Sequence, residues 1–189
     1  MSQEFLLEQI INGSAAAYTC FYNTYINELY SYGISLGYPN DICMDAIHDV
    51  FCRLYTNRKE LKGVKNIKYY LFRSLKNRLL DISRRDTRII FGEIKDHSFS
   101  VEVSVLDTLI EEEERESLRN RVESLMNSLT SNQREAIYLR YMQEMEYDEI
   151  AQILNINAES VRKLVYRGID KLKKQSNLDI MLLLVLYFR

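Results

Sequence analysis

Turn-forming residues are scarce in this chain, which has one proline and six glycines among its 189 residues. Folds built from many short strands need more of them, because the tight turns between strands favour glycine and proline. Apolar residues make up 47% of the chain, which is enough to bury a core. The sequence therefore predicts an all-α fold, and its length suits two small helical domains.

Apolar residues recur at three- and four-residue steps through the N-terminal part of the chain and predict four helices there. We expect the first two helices over residues 4–11 and 14–36. A third is expected to start with Asn40 or Asp41 as its cap, because both side chains can accept a hydrogen bond from a free backbone N–H. The fourth is predicted over residues 67–85.

The net charge of −2 is distributed unevenly along the chain. Residues 1–85 carry a net charge of +3, residues 86–116 carry −7, and residues 117–189 carry +2. Clustering matters more than the total, because attraction to phosphate groups is screened beyond about 8 Å at physiological salt. We interpret residues 86–114 as an acidic linker that joins a first domain, residues 1–85, to a second, residues 115–189.

Two short helices with a tight connection are predicted in the second domain, over EYDEIAQIL (146–154) and AESVRKLVYRGIDKLKK (158–174). Thr130 or Ser131 is expected to cap the helix that precedes this pair. The second helix of the pair is basic on its outer side, with six Lys or Arg residues against two acids over 158–174.

This basic helix has the properties of a DNA-recognition helix, which reads base edges near its N-terminus and contacts phosphates along its length. The alternative is a helical hairpin with an ordinary charged exterior, and the basic bias favours DNA binding. The residues on the outer side that we expect to contact DNA are Ser160, Arg162, Lys163, Tyr166, Arg167 and Lys171.

The motifs of both domains resemble those of bacterial sigma factors. The fourth conserved region of that family resembles LTSNQREAIYLRYMQEMEYDEIAQILNINAESVRKLVYRGIDKLKK, and its second conserved region resembles DAIHDVFCRLYTNR and NIKYYLFRSLKNRLLDISRR. The match covers residues 14–85 and 115–175. Two sets of motifs in the correct order are more specific than one helix-turn-helix, and a chain with only these two regions is similar to the extracytoplasmic-function (ECF) group.

The resemblance implies a factor that binds core RNA polymerase and directs promoter-specific transcription initiation. The helix-turn-helix would read the −35 promoter element, and the first domain would recognise and melt the −10 element. An anti-sigma factor is implied as a further partner. The family's contacts with the polymerase clamp fall on Asp45, His48, Asp49 and Arg53, where His48 replaces a frequent glutamine.

The implied −10 interface is basic and aromatic, with 11 Lys or Arg residues against two acids between Arg53 and Arg85. Single-stranded DNA binding combines a cationic track with aromatic stacking, which contributes about 1–3 kcal/mol per stacked base. Arg78 belongs to this cationic track, and residues 60–66 correspond to the family's base-capturing loop. The residues implied for this interface are Lys62, Lys65, Asn66, Lys68, Tyr69, Arg73, Lys76, Asn77, Arg84 and Arg85.

The sequence gives no sign of export or membrane insertion. Its three scattered cysteines indicate reduced thiols, and its N-terminus lacks the basic and apolar segments of a secretory signal, so we expect a cytoplasmic protein. The apolar run over residues 181–188 is shorter than the roughly 20 residues that span a bilayer. We expect it to pack on its own domain.

Motifs of enzymes and cofactor sites are also missing from the sequence, which has no phosphate-binding glycine loop, HExxH motif or paired-cysteine spacing. Cys43, His48 and Cys52 lie at steps that do not converge on one helical face, so we expect no metal site. No enzymatic activity, cofactor or small-molecule substrate is predicted. The alternative function is a stand-alone helix-turn-helix regulator, which would need a dimerising or ligand-sensing first domain.

Overall fold

The computed structural model of the chain describes residues 3–85, 99–100 and 112–175. Every regular element in these ranges is helical, which confirms the predicted all-α fold. The chain divides into two compact units, Met1–Asp96 and His97–Arg189. The C-terminal run 181–188 lies outside the described residues, and none of the described helices is long and apolar enough to cross a membrane.

The first unit contains the four helices that its periodicity predicts: α1 (Gln3–Ile11), α2 (Ala15–Ser35), α3 (Asn40–Thr56) and α4 (Ile67–Arg85). Ser14 caps α2, because its side chain accepts a hydrogen bond from the backbone N–H of Ala17 at 3.3 Å. The connection between α3 and α4 includes one 3₁₀ turn, Arg58–Leu61.

The start of α3 differs from the prediction. The expectation that Asn40 or Asp41 caps this helix is wrong, because Asn40 is already the first helical residue and Pro39 holds the cap position. Proline has no N–H to satisfy and its ring fixes φ, here at −59°, so the helix begins without a side-chain cap. The Pro39 carbonyl accepts the Cys43 N–H at 2.9 Å.

The core of the first unit lies between α2, α3 and α4. Its largest fully buried side chains include Phe21, Leu29, Tyr32, Ile47, Phe51, Leu54, Leu71, Phe72 and Leu75. Helices α2 and α3 approach closely at Gly33, where an added Cβ would lie 2.8 Å from the Cys43 sulfur. Burial raises the pKa of the Cys43 thiol to about 12, so this cysteine stays protonated and acts as a packing residue.

The second unit contains α5 (Glu112–Asn127), α6 (Ser131–Ile137), α7 (Tyr147–Leu154) and α8 (Ala158–Gln175). A π-helical turn, Tyr138–Met142, follows α6 directly. Thr130, one of the two predicted caps, caps α6: its Oγ1 accepts the Gln133 N–H at 3.3 Å, and Gln133 Oε1 accepts the Thr130 N–H at 2.9 Å. These two reciprocal bonds fix where α6 begins.

Helices α6 and α8 pack closely around a glycine. An added Cβ at Gly168 would lie 2.8 Å from Ile137 Cδ1, so only glycine allows this approach without a shift. The buried apolar residues of α6, the π-helical turn, α7 and α8 include Ile137, Leu139, Ile150, Val161, Val165 and Leu172. The packing fixes which side of α8 faces the core and therefore which side is left for a ligand.

Candidate nucleic-acid interface

Helices α7 and α8 are joined by a three-residue turn and form the predicted helix-turn-helix. Asn155 ends α7 in the left-handed conformation, with φ 55° and ψ 43°, which asparagine tolerates better than most residues. Asn157 Oδ1 then accepts the Ser160 N–H at 2.7 Å and caps the first turn of α8. Both asparagines therefore set the angle at which α8 leaves the turn.

The outer side of α8 is basic and carries one large exposed aromatic residue. Arg162, Lys163 and Arg167 are exposed, and Tyr166 is 74% exposed. These four residues fall within an arc of about 140° on the helix, given 3.6 residues per turn. They form one continuous surface, which we call the α8 basic face.

Two other residues predicted for the −35 element lie outside the α8 basic face. Ser160 is half-buried beside the α8 cap. The Lys171 ammonium donates to the Ser128 carbonyl just after α5, so it fastens α8 to α5. Lys163 also has a partner, Glu159, at 2.7 Å, but both side chains of this pair are largely exposed.

Tyr147, the first residue of α7, connects the α8 basic face to the preceding segment. The Arg162 guanidinium carbon lies 5.4 Å from the centre of the Tyr147 ring, and that of Arg140 lies 4.7 Å from it. Arg140 is itself held by the Met145 carbonyl at 2.7 Å and by Glu146 Oε1 at 3.2 Å. The sequence prediction missed Arg140 and Tyr147, because no local pattern relates them to a residue on α8.

In the first unit, three predicted −10 residues are linked at the start of α4. Asn66 Oδ1 accepts the Tyr69 N–H at 3.1 Å and thereby caps α4. The Arg73 guanidinium donates to the Tyr69 hydroxyl at 2.8 Å and lies 5.9 Å from the centre of its ring. The arginine and the tyrosine ring are held together as a unit suited to contact a phosphate and a base.

The remaining predicted −10 residues have different surroundings. Lys68 pairs with Glu28 of α2 at 3.0 Å, so part of its charge is used within the unit. The others reach solvent to different degrees: Lys62, Lys65, Asn77, Arg84 and Arg85 are exposed, and Lys76 is half-buried. Together they surround α4 and the connection before it with positive charge.

The predicted clamp residues all lie on α3. Asp45 and Arg53 are exposed. His48 Nε2 is 3.0 Å from the Tyr22 hydroxyl of α2, and the two rings stack with 12° between their planes. Asp49 is bound by Arg78 of α4, with Oδ2 at 2.7 Å from Nε and 2.5 Å from Nη2.

The packing of α3 on α4 brings residues from the predicted clamp and −10 sets together. One depression between these helices is lined by Asp49, Cys52, Arg53, Thr56, Asn57, Arg78 and Arg85. A second shares Arg53 and Arg78 and is also lined by Asn77. The two predicted interfaces therefore adjoin each other, a relationship that the sequence motifs do not reveal.

Within the described residues, no group of three or more His, Cys, Asp and Glu side chains is arranged to hold a metal ion. Cys43 is buried, Cys52 is exposed, and His48 is engaged by Tyr22.

Comparison with known proteins assigns part of the second unit to a family. The family model for sigma-70, region 4, matches residues 119–172, which include α6, α7 and most of α8. The ECF RNA polymerase sigma factor SigM of Bacillus subtilis (strain 168) is 26% identical over 165 residues, an alignment that covers 82% of this chain and 93% of SigM. Residues 119–172 therefore form a sigma-70 region 4 domain, and most of the chain is similar to ECF RNA polymerase sigma factors. The ECF RNA polymerase sigma-E factor of Haemophilus influenzae is 21% identical to this chain over 181 residues, with 93% of this chain and 95% of that factor covered.

Two solved structures are similar to this chain in fold. CnrH, solved in complex with the cytosolic domain of CnrY, is 19% identical and superposes with a TM-score of 0.57, covering 90% of this chain and 94% of CnrH. RpoE of Bartonella quintana, solved in complex with the anti-sigma factor NepR, is 21% identical and has a TM-score of 0.58, with 86% and 98% coverage.

Proposed function

We propose that this chain is an ECF sigma factor, which binds core RNA polymerase and directs promoter-specific transcription initiation, with recognition of the −35 element and melting of the −10 element. The observation that carries the proposal is the length of the alignment with SigM, which covers 93% of that ECF sigma factor and 82% of this chain. The chain supplies no catalysis of its own, because the polymerase performs the chemistry. Acting with RNA polymerase, it works in the cytoplasm.

The α8 basic face is the proposed reader of the −35 element. Arg162 lies in the second turn of α8, near the end that enters a major groove in helix-turn-helix proteins. An arginine there can bind guanine through two hydrogen bonds, whereas Lys163 and Arg167 can contact phosphates on either side. Tyr166, which is largely exposed, would add contact area between them.

The first unit is proposed to bind the −10 element as single-stranded DNA. Its support is the coupled Tyr69 and Arg73 pair beside the exposed lysines 62 and 65. A tyrosine ring can stack on an unpaired base while the adjacent guanidinium neutralises a phosphate. Arg84 and Arg85, at the end of α4, are placed for phosphate contacts that position the strand without reading its sequence.

The clamp of core polymerase is proposed to bind the exposed side of α3, at Asp45, His48, Asp49 and Arg53. This surface offers two carboxylates, a ring nitrogen and a guanidinium within three turns of one helix. Such a mixture of charges suits a partner helix with its own basic and acidic residues. The described part of α3 presents these groups on the side opposite its buried residues, such as Ile47 and Leu54.

An anti-sigma protein is proposed as the third partner. CnrH was solved in complex with the cytosolic domain of CnrY, and RpoE in complex with the anti-sigma factor NepR. We propose that this chain is restrained by a protein of the same kind, which would compete with polymerase for the first unit. We propose no small-molecule substrate and no cofactor.

Reconstituted run-off transcription tests the proposed function. The purified chain is added to the cognate core polymerase with fragments of the host genome as templates. We expect discrete products whose start sites depend on the chain and share upstream sequence elements. A chain that binds DNA fragments alone and yields no such product with polymerase would instead be a stand-alone helix-turn-helix regulator.

A further inference from the structure

Phe99 falls within the predicted linker, yet it is packed into the second unit. Its side chain is fully buried, and its ring centre lies 5.3 Å from that of Tyr138, with 47° between the ring planes. A phenylalanine buries about 150–250 Å² when it packs in this way, so the contact is large for a residue between two domains. The segment 86–98 before it and the segment 101–111 after it lie outside the described residues.

The backbone of Phe99 is bound as specifically as its ring. Its N–H donates to Ser131 Oγ at 2.7 Å, and its carbonyl accepts from Arg134 Nε at 2.5 Å. Both backbone groups of one residue are therefore satisfied by side chains of α6. This pattern is that of a docked peptide, in which the main chain supplies hydrogen bonds and a side chain fills a pocket.

Arg134 connects this docking to the end of α5. Arg134 is 7% exposed, and its Nη1 donates to the carbonyls of Met126 at 3.1 Å and Leu129 at 2.8 Å. A cation is favourable there, because carbonyl groups at a helix C-terminus carry partial negative charge. The same guanidinium thus holds α5, α6 and Phe99 together. We call Phe99, Ser131, Arg134 and Tyr138 the Phe99 anchor.

The anchor changes how much chain is left to join the two units. Only 13 residues lie between Arg85, the last residue of α4, and Phe99, whereas 26 lie between Arg85 and the start of α5 at Glu112. Fully extended, these lengths reach about 50 Å and about 95 Å, respectively. Docking at Phe99 therefore halves the maximum reach between the −10-binding and −35-binding units.

We propose that the Phe99 anchor sets the spacing between the −10 and −35 elements that this sigma factor accepts. This inference rests on the proposed function, because it assumes that the two units bind two elements of one promoter. Each added base pair moves the −35 element by about 3.4 Å along the DNA and turns it by roughly a tenth of a turn. A short tether restricts how far the second unit can follow, and a long tether permits more spacings. Phe99 and Arg134 act here as positioning residues that do not touch the DNA.

Insertions on either side of the anchor distinguish a role of Phe99 in promoter spacing from a role in packing alone. One variant carries a six-residue Gly-Ser insertion after Thr87, before the anchor. The other carries the same insertion after Val103, behind the anchor, and both variants keep Phe99 itself. Each insertion adds about 20 Å of extended chain. Transcription is measured from a promoter found in the run-off screen, with its spacer changed in single base-pair steps.

We expect only the insertion before Phe99 to broaden the spacer profile. The ratio of transcript from the optimal spacer to that from one three base pairs longer should fall roughly threefold, because the tether no longer restricts the second unit. The insertion behind Phe99 should leave the ratio unchanged. Phe99→Ala should broaden the profile of the parent and make the two insertions equivalent, and Phe99→Leu should keep the parental profile.

Two results would overturn the inference while leaving the proposed function intact. One is an equal effect of the two insertions in the chain that retains Phe99, and the other is a spacer profile that neither insertion changes. A parent chain that yields no promoter-dependent transcript at any spacing would instead overturn the proposed function, and with it the inference. Circular dichroism of Phe99→Ala checks that the helices remain intact.

Discussion

Arg78 of α4 holds Asp49 of α3 by one carboxylate oxygen, since Nε and Nη2 both contact Oδ2, at 2.7 Å and 2.5 Å. The side chains are 24% and 49% exposed, respectively, so the pair lies at the edge of the core. Among the described contacts, Oδ1 of Asp49 is left for a partner. Arg78 therefore orients the Asp49 carboxylate, a proposed contact with the polymerase clamp, and binds only one of its two oxygens.

Replacing Arg78 should weaken polymerase binding through Asp49. We expect Arg78→Ala to lower the affinity for core polymerase about threefold to tenfold, because the Asp49 carboxylate loses its orientation. The free energy of unfolding should fall by no more than about 1 kcal/mol, as is usual for partly exposed ion pairs. Fluorescence anisotropy with core polymerase and urea unfolding measure the two effects. Arg84→Ala, which replaces an exposed arginine on the same helix, serves as the control and should bind polymerase like the parent. Equal affinity of the parent, Arg78→Ala and Arg84→Ala for polymerase would contradict the role given to Arg78.

Removing single cations from the α8 basic face should weaken DNA binding. We expect Arg162→Ala, Lys163→Ala and Arg167→Ala each to reduce the affinity for a −35 duplex. If Arg162 binds a base edge, its replacement should weaken the binding free energy by about 1–3 kcal/mol. Loss of a phosphate contact should also lower the salt dependence of binding, because fewer counterions are released. Arg121→Ala on α5 removes the same charge from another surface and is the matched control. If the three α8 variants match this control in affinity and salt dependence, the face has been assigned wrongly.

Tyr147 should support DNA reading through Arg162. Its ring positions the Arg162 guanidinium at 5.4 Å, and an exposed cation–π contact contributes about 0.5–1 kcal/mol. We expect Tyr147→Ala to weaken −35 binding by a similar amount, whereas Tyr147→Phe should bind like the parent because it keeps the ring. The double variant Tyr147→Ala with Arg162→Ala should be no weaker than Arg162→Ala alone. Fully additive losses in this cycle would show that Tyr147 acts independently of Arg162.

The predicted helices depend mostly on local chemistry, which explains why the sequence reveals them. The three-residue turn at Asn155 and the Thr130 cap follow from residues a few positions apart. By contrast, the contacts that define the sites join distant positions: Asp49 to Arg78, and Phe99 to Arg134. The region around Phe99 has no helical period, so nothing in its own sequence indicates that it docks.

Neighbouring helices also determine what a surface residue contacts, even where the motifs identify it correctly as a surface residue. Lys171 has the charge and helical position of a phosphate contact, yet it donates to the Ser128 carbonyl. Lys68 similarly pairs with Glu28. Charge and period predict which residues lie outside, but the partner of an outward cation depends on how neighbouring helices are placed.

The contact of α6 with α8 should be sensitive to one methyl group. Gly168→Ala would place a Cβ 2.8 Å from Ile137 Cδ1, so we expect a loss of about 1–3 kcal/mol in the free energy of unfolding. Ile137→Val removes that Cδ1 atom and should restore part of the loss when combined with Gly168→Ala. Urea unfolding followed by circular dichroism measures both variants. A Gly168→Ala protein as stable as the parent would mean that the two helices are packed less closely than described.

The most direct test of the central claim is the reactivity of promoter thymines to permanganate, which reports unpaired bases. A promoter from the run-off screen is probed with the chain alone, with core polymerase alone, and with both. We predict reactive thymines at the −10 element only when both proteins are present. When the chain is supplied at a concentration that limits the reactivity seen with the parent, the Arg162→Ala variant should give no reactive thymines. Unreactive thymines in the presence of both proteins, while the chain alone still protects the −35 element, would contradict the account.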